Sequence, residues 1–184
     1  MRRAVFLDRD GTLNESTVDG GGVPRPPVGV EDLVLVPGAT AACRELKDLG
    51  FLVIVATNQP DVARGTQRRD VVEAIHRRIR QTVELDDVLV CYHDDVDGCE
   101  CRKPKPGLLL AAAIHREIDL SSSIMIGDRW RDIEAGRRAG CTTILVGDGR
   151  SENVPVEPTV AVPSLIAAVH WIRETSASAR MTDR

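Results

Sequence analysis

The stretch AVFLDRDGT, residues 4–12, contains the pattern on which the fold prediction depends. Its first four residues are apolar, and Asp8 follows them directly, with Asp10 two positions later. A short continuous apolar run that ends at a turn signal is typical of a strand buried on both faces. Gly11 permits the chain to turn there, so both carboxylates can reach one site at the end of this strand.

The same order of a buried strand followed by a helix recurs along the chain. Apolar segments predict further strands at 51–56, 88–91, 124–126, 143–146 and 159–162. Apolar spacing and helix end signals predict helices over 38–49, 67–84, 107–118, 130–139 and 164–174. This alternation predicts an α/β fold, a Rossmann-like doubly wound parallel sheet with helices on both faces. In such a sheet, ligands bind beyond the carboxyl ends of the strands.

The length of 184 residues favours one domain. We expect this domain to span residues 1–175 and residues 176–184 to form a frayed tail. No insertion is long enough for a large cap domain. The longest connection runs from about residue 14 to residue 37. A loop of that length is often functional, and a surface insertion without a function is an equal alternative.

Composition and charge limit the partners and the compartment. The formal net charge of −4 argues against a generally basic nucleic-acid binder. The N-terminus lacks the roughly 7–15 apolar residues of a secretory signal, and no segment approaches the roughly 18 apolar residues of a membrane span. We therefore expect a cytoplasmic protein that has no nucleic-acid or membrane partner, and we expect a monomer.

Carboxylates and other polar side chains follow three of the predicted strands. Asp8 and Asp10 form a pair that could supply a nucleophile and a proton donor, or form a turn that caps the strand. Thr-Asn-Gln at 57–59 could donate hydrogen bonds to phosphate oxygens, or form a turn. Asp128 could complete a Mg²⁺ shell with Asp8, or cap the next helix. Because all three clusters end strands of one parallel sheet, the functional interpretation is favoured.

Three of the five cysteines lie close together, within the segment 91–101. With a histidine they form a Cys₃His set that suits tetrahedral Zn²⁺: Cys91, His93, Cys99 and Cys101. Four protein ligands leave no position for water, so the zinc would be structural. Free thiols or a redox pair are the alternatives. Lys103 and Lys105, two of only three lysines in the chain, follow directly.

The order of these motifs resembles the haloacid dehalogenase superfamily of phosphatases. The resemblance rests on DxDGT after the first strand, Thr-Asn after the second, a lysine before a helix and GDxxxD after a later strand, and it covers roughly residues 4–146. It implies a phosphoric monoester hydrolase that depends on Mg²⁺ and forms an aspartyl-phosphate.

The resemblance also implies a role for individual residues. Asp8 would be the nucleophile, Asp10 the general acid and base, and Thr57 and Lys103 ligands of the phosphate. Mg²⁺ would be held by Asp8, the backbone carbonyl of Asp10 and Asp128, with Asp132 as a supporting carboxylate behind them. The expected substrate-binding residues are Asn58, Gln59, Arg102 and Arg129. A guanidinium at Arg102 could bind a second phosphate.

Within the superfamily, the Cys/His loop followed by CRKPKPG resembles a branch that contains heptose 1,7-bisphosphate 7-phosphatases and histidinol-phosphatases. The segments NQPDVARG (58–65) and KPKPG (103–107) favour the heptose enzymes, whereas the short spacer before Cys99 also occurs in the histidinol enzymes. Residues 15–22, ESTVDGGG, lack the Gly-Tyr pair of the heptose enzymes. The resemblance implies a small phosphorylated sugar, foremost a D-glycero-D-manno-heptose 1,7-bisphosphate cleaved at its 7-phosphate. Histidinol phosphate or another small metabolite, a nucleic-acid 3′-phosphate and a non-catalytic zinc-stabilised binding module are the alternatives.

Overall fold

Six parallel strands form the central sheet of the computed structural model, which describes residues 1–18, 24–147 and 156–182. The eight strands are β1 (Ala4–Leu7), β2 (Thr17–Val18), β3 (Pro24–Arg25), β4 (Leu52–Asn58), β5 (Asp87–Cys91), β6 (Ile124–Gly127), β7 (Thr142–Val146) and β8 (Val160–Val162). The order in the sheet is β5-β4-β1-β6-β7-β8, and all its pairs are parallel. The predicted α/β class and parallel sheet are therefore confirmed.

Five helices lie where the sequence predicts helices. They are α1 (Ala39–Asp48), α2 (Arg69–Thr82), α3 (Gly107–Arg116), α4 (Trp130–Ala139) and α5 (Leu165–Thr182). Helix α5 runs eight residues beyond the predicted end at 174, so most of the segment expected to be frayed is helical. The domain boundary at 175 stays a prediction. Among the described residues, no helix combines the length and the apolar character needed to cross a membrane.

Strand β1 shows why the sheet is covered on both faces. Its four side chains are fully buried and alternate between two apolar clusters. Val5 and Leu7 pack in the cluster that contains residues of α1, α2 and α5. Ala4 and Phe6 pack in the cluster that contains residues of α3 and α4. A strand buried in this way needs an apolar residue at every position, which explains its unbroken apolar run.

The strand order reverses at β1, and this reversal determines where the candidate site lies. The chain passes from β1 to β4 and β5 on one side, and then to β6, β7 and β8 on the other. Such a switch point opens a crevice at the carboxyl ends of the strands. The connection from β1 to α1 crosses this edge. Among its described residues, the regular structure is the antiparallel pair of β2 and β3. Part of the loop at 15–22, namely residues 19–22, lies outside the described residues.

Candidate active site

The loop after β1 brings Asp8 against the loop after β6. The backbone N–H of Asp8 donates to the carbonyl of Ile126 over 2.9 Å. Gly11 has a φ of +86°, and a Cβ atom there would lie 2.2 Å from Oδ2 of Asp128. A side chain at position 11 would therefore displace the carboxylate of Asp128. The glycine of the DxDGT motif thus keeps two carboxylates of the site close together.

Lys103 connects the acidic residues at the centre of the site. Its ammonium group donates to Asp8 Oδ1 over 2.7 Å, to Asp132 Oδ1 over 2.5 Å and to the Ala56 carbonyl over 2.7 Å. These three bonds use all three N–H groups of the ammonium. The amide of Asn58 holds the backbone of Lys103 on both sides, since Nδ2 donates to its carbonyl and Oδ1 accepts from its N–H. Lys103 is thereby fixed to the end of β4.

Three carboxylates in the site outnumber this ammonium. One oxygen from each of Asp8, Asp128 and Asp132 lies within 4.8 Å of the others. Burial, aided by the charge of Asp132 and opposed by Lys103, raises the pKa of Asp8 to about 6. Burial and the charges of Asp8 and Asp132 raise the pKa of Asp128 to about 8. Burial alone would lower the pKa of Lys103, but Asp132 and Asp8 outweigh it and raise that pKa.

This cluster has the properties of a binding site for a divalent cation. Its ligand atoms are carboxylate oxygens, which Mg²⁺ prefers. Oδ1 of Asp128 is buried and has no hydrogen-bond partner within the described ranges. A buried acceptor that lacks a partner is costly, and a cation would remove both that cost and the excess negative charge. The residues present therefore fit a magnesium ion.

Asp10 lies beside this cluster and is held by four hydrogen bonds. Arg9 donates to both of its oxygens, from Nε over 3.0 Å and from Nη2 over 2.9 Å. Asn14 donates over 3.0 Å and Gln59 over 2.8 Å. Gln59 also donates to the hydroxyl of Thr57 over 3.0 Å. The amide of Gln59 therefore connects residues within the site, and its expected contact with substrate stays a prediction, as does that of Asn58.

A cavity of about 270 Å³ opens onto Asp8, Asp10, Lys103 and Asp132. Basic side chains also line it, and these are Arg25, Arg64, Arg102, Arg129 and Arg131. Arg102 is buried, and its Nε donates to Asp95 over 2.7 Å. The Nε atom of Arg131 is buried without a hydrogen-bond partner in the described part of the chain. The cavity thus combines a carboxylate cluster with guanidinium groups that suit anions.

The four predicted zinc ligands lie together at the end of β5. The sulfur of Cys101 is 3.2 Å from that of Cys91 and 3.5 Å from that of Cys99, and the Cys91–Cys99 distance is 3.7 Å. Nδ1 of His93 is 3.3 Å from Cys101 Sγ and 3.6 Å from Cys91 Sγ. A tetrahedral zinc with bonds of about 2.3 Å separates its sulfur ligands by roughly 3.8 Å. The cluster therefore fits a tetrahedral ion with little adjustment.

Arg9 and His76 are among the polar residues of the site that were missed from the sequence, together with Asn14, Arg25, Arg64 and Arg131. Arg9 is fully buried although it lies in a loop, and its Nη1 is 2.9 Å from Nε2 of His76. Nothing in the local sequence around Arg9 signals its burial. His76, however, shares the apolar face of α2 with Val72, Ile75 and Ile79. That spacing was a usable signal that the imidazole points inward.

Comparisons with known proteins agree with this geometry. The HAD-hydrolase-like family model matches residues 100–168. The D-glycero-D-manno-heptose-1,7-bisphosphate 7-phosphatase of Thermosynechococcus vestitus is 37% identical over 194 residues, covering 93% of this chain and 95% of the relative. The enzyme of Pseudomonas aeruginosa named D-glycero-beta-D-manno-heptose-1,7-bisphosphate 7-phosphatase is 36% identical, and the matched region covers 81% of this chain and 83% of that enzyme. The D,D-heptose 1,7-bisphosphate phosphatase of B. bronchiseptica, solved with magnesium and phosphate, has a TM-score of 0.81 and 31% identity, covering 94% of this chain and 99% of that one.

The parallel sheet and the carboxylate cluster at its switch point define a phosphoric monoester hydrolase of the haloacid dehalogenase superfamily. Within this superfamily, the chain belongs to the family of the D-glycero-D-manno-heptose-1,7-bisphosphate 7-phosphatases.

Proposed function

We propose that this enzyme hydrolyses a phosphate monoester of a small sugar through an aspartyl-phosphate on Asp8. The observation that carries the proposal is the contact between the Asp8 carboxylate and the buried ammonium of Lys103, in a cavity that Asp10 also lines. A carboxylate that is aligned beside a fixed cation suits phosphoryl transfer, which depends mainly on positioning and charge neutralisation. The pair of aspartates supplies the nucleophile and the proton carrier.

The proposed reaction has two steps that share these residues. First, a carboxylate oxygen of Asp8 attacks phosphorus, the bond to the sugar oxygen breaks, and Asp10 gives its proton to the departing alkoxide. Second, Asp10 takes a proton from water, whose oxygen attacks the aspartyl-phosphate and releases inorganic phosphate. Asp8 is thereby regenerated. Lys103 neutralises charge on the phosphoryl oxygens, and Thr57 donates a hydrogen bond to one of them.

Asp8, the backbone carbonyl of Asp10 and Asp128 would hold the magnesium ion. When bound, the ion supplies positive charge that stabilises the transferring phosphoryl group. The unpartnered oxygen of Asp128 and the raised pKa values of Asp8 and Asp128 support this assignment. Asp132 accepts from Lys103 and from the backbone N–H of Arg129, so its role is to support the site from behind.

Cys91, His93, Cys99 and Cys101 would hold a structural zinc ion. The support is the set of distances between their ligand atoms, which suit tetrahedral coordination. Arg102 and Lys103 follow the last of these ligands directly. An ion bound here would therefore restrict the backbone that carries both cations into the cavity.

The substrate that the site favours is a D-glycero-D-manno-heptose 1,7-bisphosphate, cleaved at its 7-phosphate. The relatives that share more than a third of the sequence carry that name. A second phosphate would also account for the guanidinium groups of the cavity, with Arg102 and Arg129 as its expected ligands. Histidinol phosphate has one phosphate and lacks the second anion that Arg102 and Arg129 are expected to bind. The net charge of −4 further supports a small substrate over a nucleic acid.

A substrate panel tests this proposal directly. Phosphate release is measured with Mg²⁺ on the heptose bisphosphate, on histidinol phosphate and on several hexose phosphates. We expect the highest kcat/KM for the bisphosphate, with phosphorus NMR showing loss of the 7-phosphate. A preference for histidinol phosphate would reject the substrate assignment.

Replacement of the nucleophile tests the chemistry separately. We expect Asp8→Asn to abolish turnover with the fold retained. Asp48→Asn, which alters an exposed carboxyl at the end of α1, is the matched control and should keep full activity. Turnover by Asp8→Asn would exclude the aspartyl-phosphate.

A further inference from the structure

A fully buried arginine lies between the two aspartates of the site. Arg9 has an exposed fraction of 0%, although it belongs to the loop after β1. Removing a guanidinium from water costs several kcal/mol unless its donors are satisfied and its charge is compensated. Because Arg9 is fully buried, its contacts must satisfy its donors and compensate its charge, and the reaction described above does not explain why they are arranged as they are.

The contacts of Arg9 converge on Asp10. Its Nε and Nη2 donate to the two oxygens of that carboxylate, as a fork. Nη2 also donates to Oε1 of Gln59 over 3.1 Å, and Nη1 lies 2.9 Å from Nε2 of His76. A planar fork of this kind fixes both the position and the rotation of a carboxylate. Asp10 is thus held from the protein side.

His76 contacts the nitrogen of the guanidinium that does not bind Asp10, namely Nη1. Arginine has donors only, so Nε2 of His76 must accept, and the ring proton is then on Nδ1. Nδ1 is buried and has no hydrogen-bond partner among the described residues. An unsatisfied buried N–H destabilises the fold, and a leucine on this apolar face of α2 would avoid that penalty. The imidazole instead provides Nε2 as the hydrogen-bond acceptor for Nη1 of Arg9.

We propose that Arg9 and His76 together act as positioning residues for Asp10, holding its carboxylate where it exchanges protons with the leaving group and with water. The inference rests on the proposed function, because it assigns these residues a part in the proton transfers of that reaction. Misplacing a catalytic group by about 1 Å can cost about 100-fold in rate. Without the acceptor at His76, Nη1 would be buried unpaired and the guanidinium would turn away from Asp10.

His76→Leu tests the proposal, with His76→Gln as the rescuing variant. Leucine removes the acceptor and keeps an apolar side chain, whereas glutamine offers Oε1 to Arg9. On an alkyl phosphate such as the sugar phosphate, we expect kcat of His76→Leu to fall about 10- to 100-fold with an unchanged KM. His76→Gln should recover most of this loss. His115→Leu alters an exposed histidine of α3 and is the matched control.

An aryl phosphate separates positioning from a structural role. The p-nitrophenolate ion leaves without a proton, so its first release should keep the wild-type rate in His76→Leu. Hydrolysis of the aspartyl-phosphate still needs Asp10, so later turnovers should slow and produce a burst of p-nitrophenolate. If His76→Leu does not fold, Arg9→Lys gives the same test, because lysine keeps the charge and lacks the fork.

The outcomes distinguish this inference from the proposed function. An inactive wild-type protein, or an active Asp8→Asn variant, would reject the proposed function itself. With an active wild type and an inactive Asp8→Asn, wild-type kcat on the sugar phosphate in His76→Leu would overturn the inference. Equal losses for the alkyl phosphate and for the first aryl turnover would also overturn it, since they indicate general damage to the site.

Discussion

Replacing Lys103 by methionine removes the ammonium group that joins Asp8 to Asp132. The lysine side chain is 3% exposed, and its three hydrogen bonds are 2.5–2.7 Å long. Methionine has a similar length and an apolar end, so the substitution changes charge more than volume. Two buried carboxylates and one buried carbonyl would then lose a donor, and the carboxylates would repel each other.

The size of the effect follows from these contacts. Removing one partner of a buried ion pair costs about 3–5 kcal/mol. Part of this is recovered because Asp8, whose pKa already lies at about 6, can take up a proton. We therefore expect the free energy of unfolding to fall by about 3 kcal/mol at pH 7.5. Loss of a cation that stabilises the transferring phosphoryl group should lower kcat by about 100- to 1000-fold.

The loss of stability in Lys103→Met should depend on pH through the ionisation of Asp8. Lys103 lowers the pKa of Asp8, so the variant has a folded pKa still further above the unfolded value of 3.8. A carboxyl with a raised folded pKa favours folding below its unfolded pKa, and this contribution is lost as pH rises through the folded pKa. The difference between wild type and Lys103→Met should therefore be largest above pH 6 and smallest near pH 4.

Urea unfolding without Mg²⁺ measures this difference, at pH 4.5 and at pH 7.5. Lys105→Met is the matched control, because that lysine lies two residues away and pairs with Glu100 at the surface. Exposed pairs contribute about 0–1 kcal/mol, so the control should retain its stability and its kcat. The double variant Lys103→Met/Asp132→Asn should regain about half of the lost stability and none of the activity. If Lys103→Met unfolds at the wild-type urea concentration at pH 7.5, the charge balance inferred for this cluster is refuted.

Three further predictions concern the two metal sites. Purified protein should contain about one zinc per chain by elemental analysis. The variant Cys99→Ser should lose this zinc, and Cys141→Ser, which alters the residue directly before β7, should keep it. Equal zinc contents in both variants would exclude the cluster as the zinc site. The affinity for Mg²⁺ should increase as pH rises from 5 to 8, because its ligands Asp8 and Asp128 have pKa values raised to about 6 and 8 and must lose their protons to bind the ion. Calorimetry should show that protons are released on binding. An affinity for Mg²⁺ that does not depend on pH would contradict this prediction. Asp128→Asn should weaken Mg²⁺ binding at least about 10-fold without moving the zinc content, and unchanged affinity would place the ion elsewhere.

The fold could be predicted because its signals are local. Strand β1 has the predicted bounds, and its burial on both faces follows from an unbroken apolar run. The β2–β3 pair could not be predicted, since two-residue strands carry no detectable period. The end of α5 was also placed too early. Its apolar pattern weakens after residue 174, but a helix can continue through small and polar residues without such a pattern.

Asp8 and Asp128 could be placed at the centre of the site because each directly follows a strand of one parallel sheet, whereas Lys103 and Asp132 were expected there from the resemblance to the haloacid dehalogenase superfamily. Asp8, Lys103 and Asp132 were expected together, and the structure joins them by hydrogen bonds. The contacts of Asn58 could not be predicted in this way. Its amide holds the backbone of Lys103, so its environment depends on where a loop 45 residues later in the chain comes to lie. Such long-range pairings leave no trace in local sequence.

Two of the buried cations of the site, Lys103 and Arg9, show why one position takes a lysine and the other an arginine. The ammonium of Lys103 directs three N–H groups to three acceptors that belong to separate elements: Asp8, Ala56 and Asp132. The planar group of Arg9 instead meets the two oxygens of one carboxylate. Guanidinium and ammonium differ in this geometry, and neither can reproduce the contacts of the other. In a chain with only three lysines among 24 basic residues, the lysine at 103 is therefore explained by the arrangement of its acceptors.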